Sequence, residues 1–149
     1  MVETGITVCR RWFEEVWNEG REDLMPLLAA ADVVAHGIAG PDDVAYGLEA
    51  GFKPMYRTLR GAFPDIHFTV DEVIGSGEMV ALRWSVRGTH RGDELGMPAT
   101  GKSVAFTGMT FARVVDGKIV EGWNNWDMMG LMNQIGAATA ARVIPTERG

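Results

Sequence analysis

The hydrophobic pattern changes its period at residue 66, and this change constrains the fold more than any other feature of the sequence. Before residue 66, apolar side chains recur three or four residues apart, as they do along a helix. After it, apolar and polar residues alternate, as in Ile66, Phe68 and Val70, which is typical of strands with one buried face. The order of the two periods predicts helices followed by an antiparallel sheet, which is an α+β fold.

Three helices are predicted in the first half of the chain, over residues 3–19, 21–29 and 46–62. Gly20 ends the first helix, and Pro26 lies early in the second, where a missing N–H is tolerated. Pro54 is expected to kink the third helix. Between the second and third helices, residues 32–36 are expected to be extended and residues 38–43 to form a loop.

The second half of the chain predicts a meander of about four antiparallel strands and one closing helix. Hairpin turns are expected at 75–77 and at Asp116-Gly117, and the Gly- and Pro-rich residues 91–102 are expected to form a long loop. Helices that cover only part of a curved sheet leave a concavity on its buried face. We therefore expect a cone-shaped fold around one apolar pocket. The expected domain is 1–149, with a core at about 3–136 and a fraying tail at 137–149.

The length and charge of the chain limit its partners. A chain of 149 residues is about the usual size of one domain. A net charge of −6 argues against a nucleic-acid partner, which needs clustered Lys and Arg. The start lacks the pattern of a signal peptide, and no apolar run reaches the roughly 18 residues of a membrane span. We expect a cytoplasmic protein with a small-molecule partner and with no nucleic-acid or membrane partner.

Cys9 is the only cysteine in the sequence, so no internal disulfide is possible. It lies on the helical apolar pattern of the first predicted helix. A cysteine in that setting behaves as a small buried hydrophobe rather than as a reactive thiol.

The segment Trp123-Asn124-Asn125-Trp126-Asp127 concentrates side chains that carry chemistry. It holds two indoles, two amides and a carboxylate at the point where a strand passes into a helix. A carboxylate that loses hydration beside aromatic rings is a candidate general acid or base. Asp127 also stands immediately before Met128, at the position of a helix N-cap, where its oxygens accept backbone N–H bonds. Both interpretations of Asp127 are open at this point.

Tryptophans and histidines are further candidates for the pocket. Trp84, Trp123 and Trp126 are either flat apolar walls suited to an aromatic or polycyclic ligand, or members of the core. His36 follows an apolar run and is either a donor to a substrate oxygen or a structural residue. His90 lies beside the long loop and is either a solvated surface residue or a contact of the ligand.

Metal ions and nucleotide cofactors gain no support from the sequence. His36, His67 and His90 are far apart, and neither an HExxH nor a CxxC pattern is present. No GxGxxG follows a strand. We therefore expect no metal and no cofactor, which leaves general acid–base chemistry by a carboxylate.

The side of the sheet on which Arg113 lies depends on the Asp116-Gly117 turn. A two-residue turn pairs residue 113 with 120, whereas a turn with a bulged glycine pairs it with 119. Arg113 is therefore either a cation in the pocket or a residue of the outer face. Alternation along the last strand separates two faces, one with Ile119, Glu121, Trp123, Asn125 and Asp127, the other with Val120, Gly122, Asn124 and Trp126.

The sequence resembles the SnoaL-like polyketide cyclases. The similar segments are RRWFEEVWNEG, LRGAFPDIHFTVDEVI, VALRWSVRGTHRG, LGMPATGKSV and DGKIVEGWNNWDMMGLMNQIG. The resemblance spans about 6–136 in the expected order. It implies the fold that this family shares with nuclear transport factor, ketosteroid isomerase and limonene epoxide hydrolase. It also implies a homo-oligomer, a dimer or a tetramer, formed through the outer face of the sheet.

The resemblance further implies a cofactor-free intramolecular aldol cyclisation of an aromatic polyketide ester. Asp127 matches the family's aspartate, which acts as general base and later as acid, and His36 matches its pocket histidine. Many members have an Asp-His pair there, whereas Ala35 precedes His36 in this chain. Because the enolate also needs stabilisation, His36 or Asn125 is expected to polarise the carbonyl. The residues expected to contact the substrate are Trp12, Met55, Trp84, His90, Phe106, Met109, Arg113, Trp123 and Asn125.

Two other kinds of function remain open. A protein that binds an apolar ligand without turnover needs aromatic walls but no acid or base. A related isomerase or epoxide hydrolase uses a carboxylate to move a proton or to activate water. Epoxide hydrolysis also calls for a second carboxylate or a cation in the pocket, for which Arg113 is the candidate.

Overall fold

The computed structural model describes residues 4–40 and 42–136, and this part of the chain forms a curved six-stranded sheet with helices against its inner face. The strands are β1 (Ala29–His36), β2 (Val44–Tyr46), β3 (His67–Ser76), β4 (Met79–Thr89), β5 (Ser103–Val115) and β6 (Lys118–Trp126). The helices are α1 (Gly5–Arg11), α2 (Met25–Leu28), α3 (Lys53–Ala62) and α4 (Met128–Ile135). The strand order is β2-β1-β6-β5-β4-β3. The predicted α+β class is confirmed.

The first predicted helix is present and has a side-chain cap. The Thr4 hydroxyl accepts a hydrogen bond from the backbone N–H of Thr7 (3.2 Å), which satisfies a free donor at the start of α1. Directly after α1 the chain continues as a π-helical segment, Trp12–Trp17. Gly20 follows with a φ of +69°, the left-handed conformation that favours glycine at the end of a helix.

The second and third predicted helices are shorter than expected. A 3-10 turn, Glu22–Leu24, leads into α2, which ends at Leu28 where β1 begins. The third helical stretch starts as a π-helical segment, Leu48–Phe52, and continues as α3. Pro54 lies in the first turn of α3, directly after the π-helical segment. Tyr46, expected in this helix, belongs to β2 instead.

The sheet contains the four antiparallel strands that the sequence predicts and two further strands. β3, β4, β5 and β6 pair in consecutive antiparallel order. β1 lies parallel to β6, with His36 opposite Trp123, and the short β2 pairs with the end of β1. The extended piece expected at 32–36 is therefore the second half of a longer strand that begins at Ala29.

Alternation along β4 and β5 decides which side chains face the helices. Val80, Leu82, Trp84 and Val86 are buried in β4, and Arg83 and Arg87 are exposed, as the sequence predicts. The predicted long loop lies between these strands. The buried residues of β5 are Val104, Phe106, Gly108, Thr110, Ala112 and Val114.

The β5–β6 hairpin differs from both registers considered above. Val115 pairs with Lys118 across Asp116 and Gly117, so the turn has two residues, both with positive φ. Beyond Ile119 the register shifts, and Arg113 lies opposite Glu121. The shift is a bulge in β6, so Ile119 lies on the cavity face with Gly122 and not on the face of Glu121 as predicted. Beyond Glu121 the alternation is as predicted.

The closing helix α4 begins at an aspartate and ends at a glycine. Asp127 Oδ1 accepts a hydrogen bond from the backbone N–H of Gly130 (2.8 Å), so the N-cap interpretation of Asp127 is confirmed. Gly136 ends the helix with a φ of +85°. The tail expected at 137–149 lies outside the described residues. In 4–40 and 42–136, no helix has the length and apolar character needed to cross a membrane.

Candidate active site

An apolar cavity lies between the inner face of the sheet and the helical segments of the first half of the chain. It holds about 910 Å³ of atom-free space, counted out to the open solvent at its mouth. The described residues that line it are Cys9, Trp12, Phe13, Trp17, Ala29, Val33, Val34, Ala35, Ile38, Phe52, Leu59, Ile66, Phe68, Leu82, Trp84, Phe106, Thr110, Ala112, Ile119, Gly122, Asn124 and Trp126. The one apolar pocket expected from the sequence therefore has a counterpart in the fold.

Aromatic rings from the helices and from the sheet meet around this cavity. Phe68 contacts both Phe13 and Trp84, with ring centroids 5.2 Å and 5.1 Å apart. Trp12 packs on Phe52 at 5.1 Å. Tilted contacts at these distances are the arrangements that aromatic pairs prefer. The walls are flat and apolar, which suits an aromatic or polycyclic ligand.

A short chain of hydrogen bonds crosses the sheet side of the cavity. Trp84 Nε1 donates to Thr110 Oγ1 (3.0 Å), and the Thr110 hydroxyl donates to Asn124 Oδ1 (2.7 Å). Asn124 Nδ2 donates to the backbone oxygen of His36 (3.0 Å). The chain therefore joins β4, β5, β6 and β1, and it provides the polar side chains in an otherwise apolar wall.

Trp126 forms the part of the wall next to the end of β6. Its indole packs against Phe106 at 5.2 Å, and its Nε1 donates to the backbone oxygen of Ile38 (2.9 Å). This bond holds the loop after β1 against the sheet. The indole N–H is satisfied, so its apolar face is what a ligand meets.

The cavity wall is uncharged at neutral pH. Among the described residues that line it there is no carboxylate, no imidazole and no cation. The titratable group it does contain is the Cys9 thiol, and burial raises the pKa of that thiol to about 12. A buried thiol with such a pKa stays protonated.

Asp127 lies at the edge of the site rather than in the cavity wall. It follows Trp126 directly, its side chain is exposed, and it is not among the lining residues. One carboxylate oxygen holds the cap of α4, as described above. Gly130 lets the carboxylate approach the helix, because a Cβ at that position would overlap both carboxylate oxygens.

His36 lies on the opposite side of the sheet from the cavity, where it meets a carboxylate that sequence reasoning missed. Its Nε2 lies 2.6 Å from Glu121 Oε2, and both side chains are about one-third exposed. Its ring stacks on Trp123, with centroids 5.4 Å apart and planes 4° from parallel. Although Ala35 replaces an aspartate before His36, Glu121 on the adjacent strand supplies a carboxylate for the ring.

The structure brings three of the predicted substrate contacts to the cavity: Trp12, Trp84 and Phe106. Four others lie on the outer face, because they alternate with inward residues of β5 and β6: Met109, Arg113, Trp123 and Asn125. For these four the expected pocket position is corrected. Arg113 pairs with Glu78 there (3.4 Å), so it is not a pocket cation. Met55 is partly buried against the core and does not line the cavity.

His90 occupies a position that neither interpretation of the sequence anticipated. It is fully buried yet does not line the cavity. Its Nδ1 accepts the backbone N–H of Thr100 (3.2 Å), and its ring packs against Phe63 at 5.5 Å. The predicted solvated position is therefore wrong, since His90 fastens the long loop to the body of the protein.

Sequence reasoning missed the polar residues of the wall, Thr110 and Asn124. A signal was nevertheless present in the strand phase. Thr110 lies four residues after Phe106, and Asn124 lies two residues before Trp126, so alternation puts each on the same face as an aromatic wall residue. No group of three or more potential metal ligands clusters within the described part of the chain.

A small α+β fold with a curved sheet around one aromatic-walled cavity defines a class of small-molecule proteins, and the comparisons with known proteins identify the family within it. The family model described as "SnoaL-like polyketide cyclase" matches residues 7–135. The chain belongs to the SnoaL-like polyketide cyclase family and is a cyclase-like enzyme with a small-molecule polyketide substrate.

Named relatives and solved structures agree with this assignment. Aklanonic acid methyl ester cyclase DnrD from Streptomyces peucetius is 29% identical over 91% of this chain and 92% of its own. The corresponding cyclase DauD from Streptomyces sp. strain C5 is 27% identical over 82% and 76%. The crystal structure of IdmH from Streptomyces antibioticus superposes with a TM-score of 0.76 at 28% identity, covering 90% of this chain and 99% of that one.

Proposed function

We propose that this enzyme closes a carbon ring within an aromatic polyketide ester, without a cofactor. The observation that carries the proposal is the aromatic-walled cavity with a hydrogen-bonded polar chain on one side, in a member of a cyclase family. Such a cavity excludes water and holds a flexible precursor folded, so that its reacting carbons stay close together. The names of the relatives suggest a methyl ester as the substrate.

The proposed reaction is an intramolecular aldol addition. A base removes a proton from the carbon next to a carbonyl, and the resulting enolate carbon attacks a second carbonyl carbon. One carbon–carbon bond forms, and the new alkoxide takes the proton back from the protonated base. Atoms and electrons balance within one molecule, so the reaction needs no oxidant, reductant or second substrate.

Asp127 is the proposed base. It adjoins the cavity through Trp126, and its exposed carboxylate binds the helix through Oδ1. A carboxylate that serves as both cap and base has to exchange protons through its other oxygen, Oδ2. His36 is proposed to assist as a positioning residue, since its ring pairs with Glu121 on the outer side of the sheet and its backbone oxygen holds the Asn124 amide.

Turnover by the Asp127→Asn variant tests this role. The probe is aklanonic acid methyl ester, the compound in the relatives' names, and ring closure is followed by chromatography and absorbance. General acid–base catalysis contributes about 10²–10⁴-fold, so we expect a rate loss of that size. Asparagine caps helices about as well as aspartate, so the melting temperature should stay unchanged. Asp127→Ala is the matched control, since it also loses the cap and should cost about 1 kcal/mol of stability.

Full turnover by Asp127→Asn would leave Asp127 as a helix cap only. The His36→Asn variant tests the positioning role of His36 separately. Loss of the pairing with Glu121 should lower the turnover rate, whereas an unchanged rate in both variants contradicts the roles proposed for Asp127 and His36.

A non-catalytic binder is the second candidate, and the uncharged cavity wall favours it. No carboxylate or imidazole is among the described residues that line the cavity. A binder would quench the tryptophan fluorescence of Trp84 and Trp126 on adding the ester, yet return it chemically unchanged. Conversion of the ester by the wild-type protein excludes this alternative.

A homo-oligomer formed through the outer sheet face is also proposed, as a dimer or tetramer. Met109 and Phe111 are more than half exposed on that face, and Phe111 lies between Ala81 and Trp123 on the neighbouring strands. An exposed apolar stripe across three strands is typical of an interaction surface. We further propose that the protein works in the cytoplasm.

A further inference from the structure

We propose that Asn124 is a ligand-binding residue that donates a hydrogen bond to a carbonyl oxygen inside the cavity. The cavity then prefers an uncharged polycyclic ketone to a hydrocarbon of the same shape. This inference deepens the proposed function and rests on it for the place where the substrate binds.

The direction of the hydrogen-bond chain fixes the orientation of the Asn124 amide. An indole N–H is a donor only, so Thr110 Oγ1 must accept from Trp84 Nε1. The Thr110 hydroxyl therefore has its own hydrogen available for Asn124, and the atom that it meets is the amide oxygen. On the other side, the backbone oxygen of His36 accepts only, so it must face the amide nitrogen. The His36 contact excludes the flipped amide, which would bring two acceptor oxygens together, and the Thr110 contact fits the same orientation.

One of the two side-chain N–H groups of Asn124 has no acceptor among the described residues. The amide nitrogen carries two hydrogens, and within the described residues it donates to the His36 backbone oxygen alone. The indole N–H groups of Trp84 and Trp126 are both committed to protein acceptors. Asn124 is thus the lining side chain with a spare N–H. A polar group left unpaired in an apolar wall favours any ligand that satisfies it.

The charge of the wall determines which acceptor this donor suits. Since no cation lines the described wall, a buried carboxylate would find nothing to offset its lost hydration. A ketone or ester carbonyl accepts a hydrogen bond without that penalty. The same N–H would strengthen its bond when the carbonyl becomes an enolate, because the oxygen then carries negative charge.

Binding of fluorenone and fluorene tests the inference without any turnover. The two rigid tricyclic probes differ in one carbonyl group. Dissociation constants are measured by quenching of tryptophan fluorescence and by calorimetry. We expect wild type to bind fluorenone about 3–10-fold more tightly than fluorene, the effect of one net hydrogen bond. The Asn124→Leu variant should bind the two probes equally.

Asn125→Leu is the matched control, because Asn125 is the same residue on the next position of β6 but on the outer, exposed face. It should keep the wild-type preference for fluorenone. Asn124→Ala is the second variant in case Asn124→Leu fails to fold, since it removes the amide and adds no bulk or charge to the wall. It should also lose the preference.

Equal binding of the two probes by wild type, or a preference that persists in the folded Asn124 variants, would overturn the inference. Failure of wild type to bind either probe would overturn it too. These outcomes are independent of the turnover test. Ester conversion without a ketone preference rejects the role of Asn124 alone, and a ketone preference without conversion rejects the cyclase proposal alone.

Discussion

Asn124 and Asn125 are chemically identical neighbours, and β6 gives them opposite surroundings. Asn124 lies in the cavity wall and is held by Thr110 and by the His36 backbone, whereas Asn125 is exposed on the outer face. The sequence interpretation expected His36 or Asn125 to polarise a carbonyl, and alternation put Asn125 on the strand face of Asp127. Trp126 lines the cavity, and Asn124 shares its face of β6. The cavity therefore lies against that face and not against the face of Asn125.

The role of Asp127 as a helix cap was predictable from the sequence, whereas the burial of His90 was not. The cap at Asp127 is predictable because it depends on its neighbours in sequence, Met128 to Gly130. The burial of His90 is not predictable in this way. It depends on Thr100, ten residues away, and on Phe63 from another element. Contacts between distant parts of the chain leave no local pattern.

Cys9 provides a residue-scale prediction about reactivity. Burial raises the pKa of its thiol to about 12, so almost no thiolate exists at pH 8, and the thiolate is the reactive form. We expect Ellman's reagent to modify the native protein at pH 8 at least about 100-fold more slowly than the protein unfolded in guanidinium. Equal rates in the two states would show that the Cys9 side chain is accessible, which contradicts a closed cavity wall.

At the scale of the elements, Gly108 of β5 lets two tryptophans share one face of the sheet. It lies opposite Trp84 on β4 and opposite Trp126 on β6. A Cβ at Gly108 would lie 2.7 Å from Trp126 Cβ and closer still to the Trp84 ring. Both indoles line the cavity, so this glycine helps to set the shape of its wall.

Gly108→Ala should therefore destabilise the protein by about 1–3 kcal/mol, the usual cost of overpacking a core. It should also weaken fluorenone binding, because the Trp84 and Trp126 side chains must move. Chemical denaturation and the fluorescence titration measure the two effects. Thr107→Ala, at the adjacent exposed position of the same strand, is the control and should change neither. An unaffected Gly108→Ala variant would contradict the packing described above.

Each element or irregularity that sequence reasoning missed has an identifiable physical cause. β2 is three residues long, too short for an alternating pattern to be recognised. The first residues of β1 are alanines, which favour a helix over a strand and so do not reveal where the strand begins. The bulge in β6 depends on pairing with β5 rather than on its own residues. By contrast, β3 to β6 have long alternating runs, and these were predicted.

At the scale of the whole molecule, the order of elements was predictable because the change of period at residue 66 separates the helical half from the sheet. The cavity followed from that order, although its lining did not, because its walls combine side chains from α1, α3 and five strands. The outer face is the other large-scale feature, and its apolar stripe supports the proposed assembly.

Phe111→Asp tests that assembly. A charge in the middle of a buried stripe is unfavourable in an oligomer and harmless on an exposed face. Light scattering coupled to gel filtration should show wild type as a dimer or tetramer and Phe111→Asp as a monomer. Leu27→Asp is the control, because Leu27 is 62% exposed but belongs to α2 and not to the outer face of the sheet. A monomeric wild type, or a Phe111→Asp variant that still assembles, contradicts the proposed interface.

The most direct test of the central claim is the structure of the Asp127→Asn variant with the uncyclised methyl ester bound. Our account predicts that the ligand rings lie inside the cavity between Trp84 and Phe106, with a carbonyl oxygen about 3 Å from Asn124 Nδ2. The acidic carbon should lie within about 3.5 Å of the side chain at position 127. A ligand bound outside the cavity, or an acidic carbon far from position 127, would contradict it.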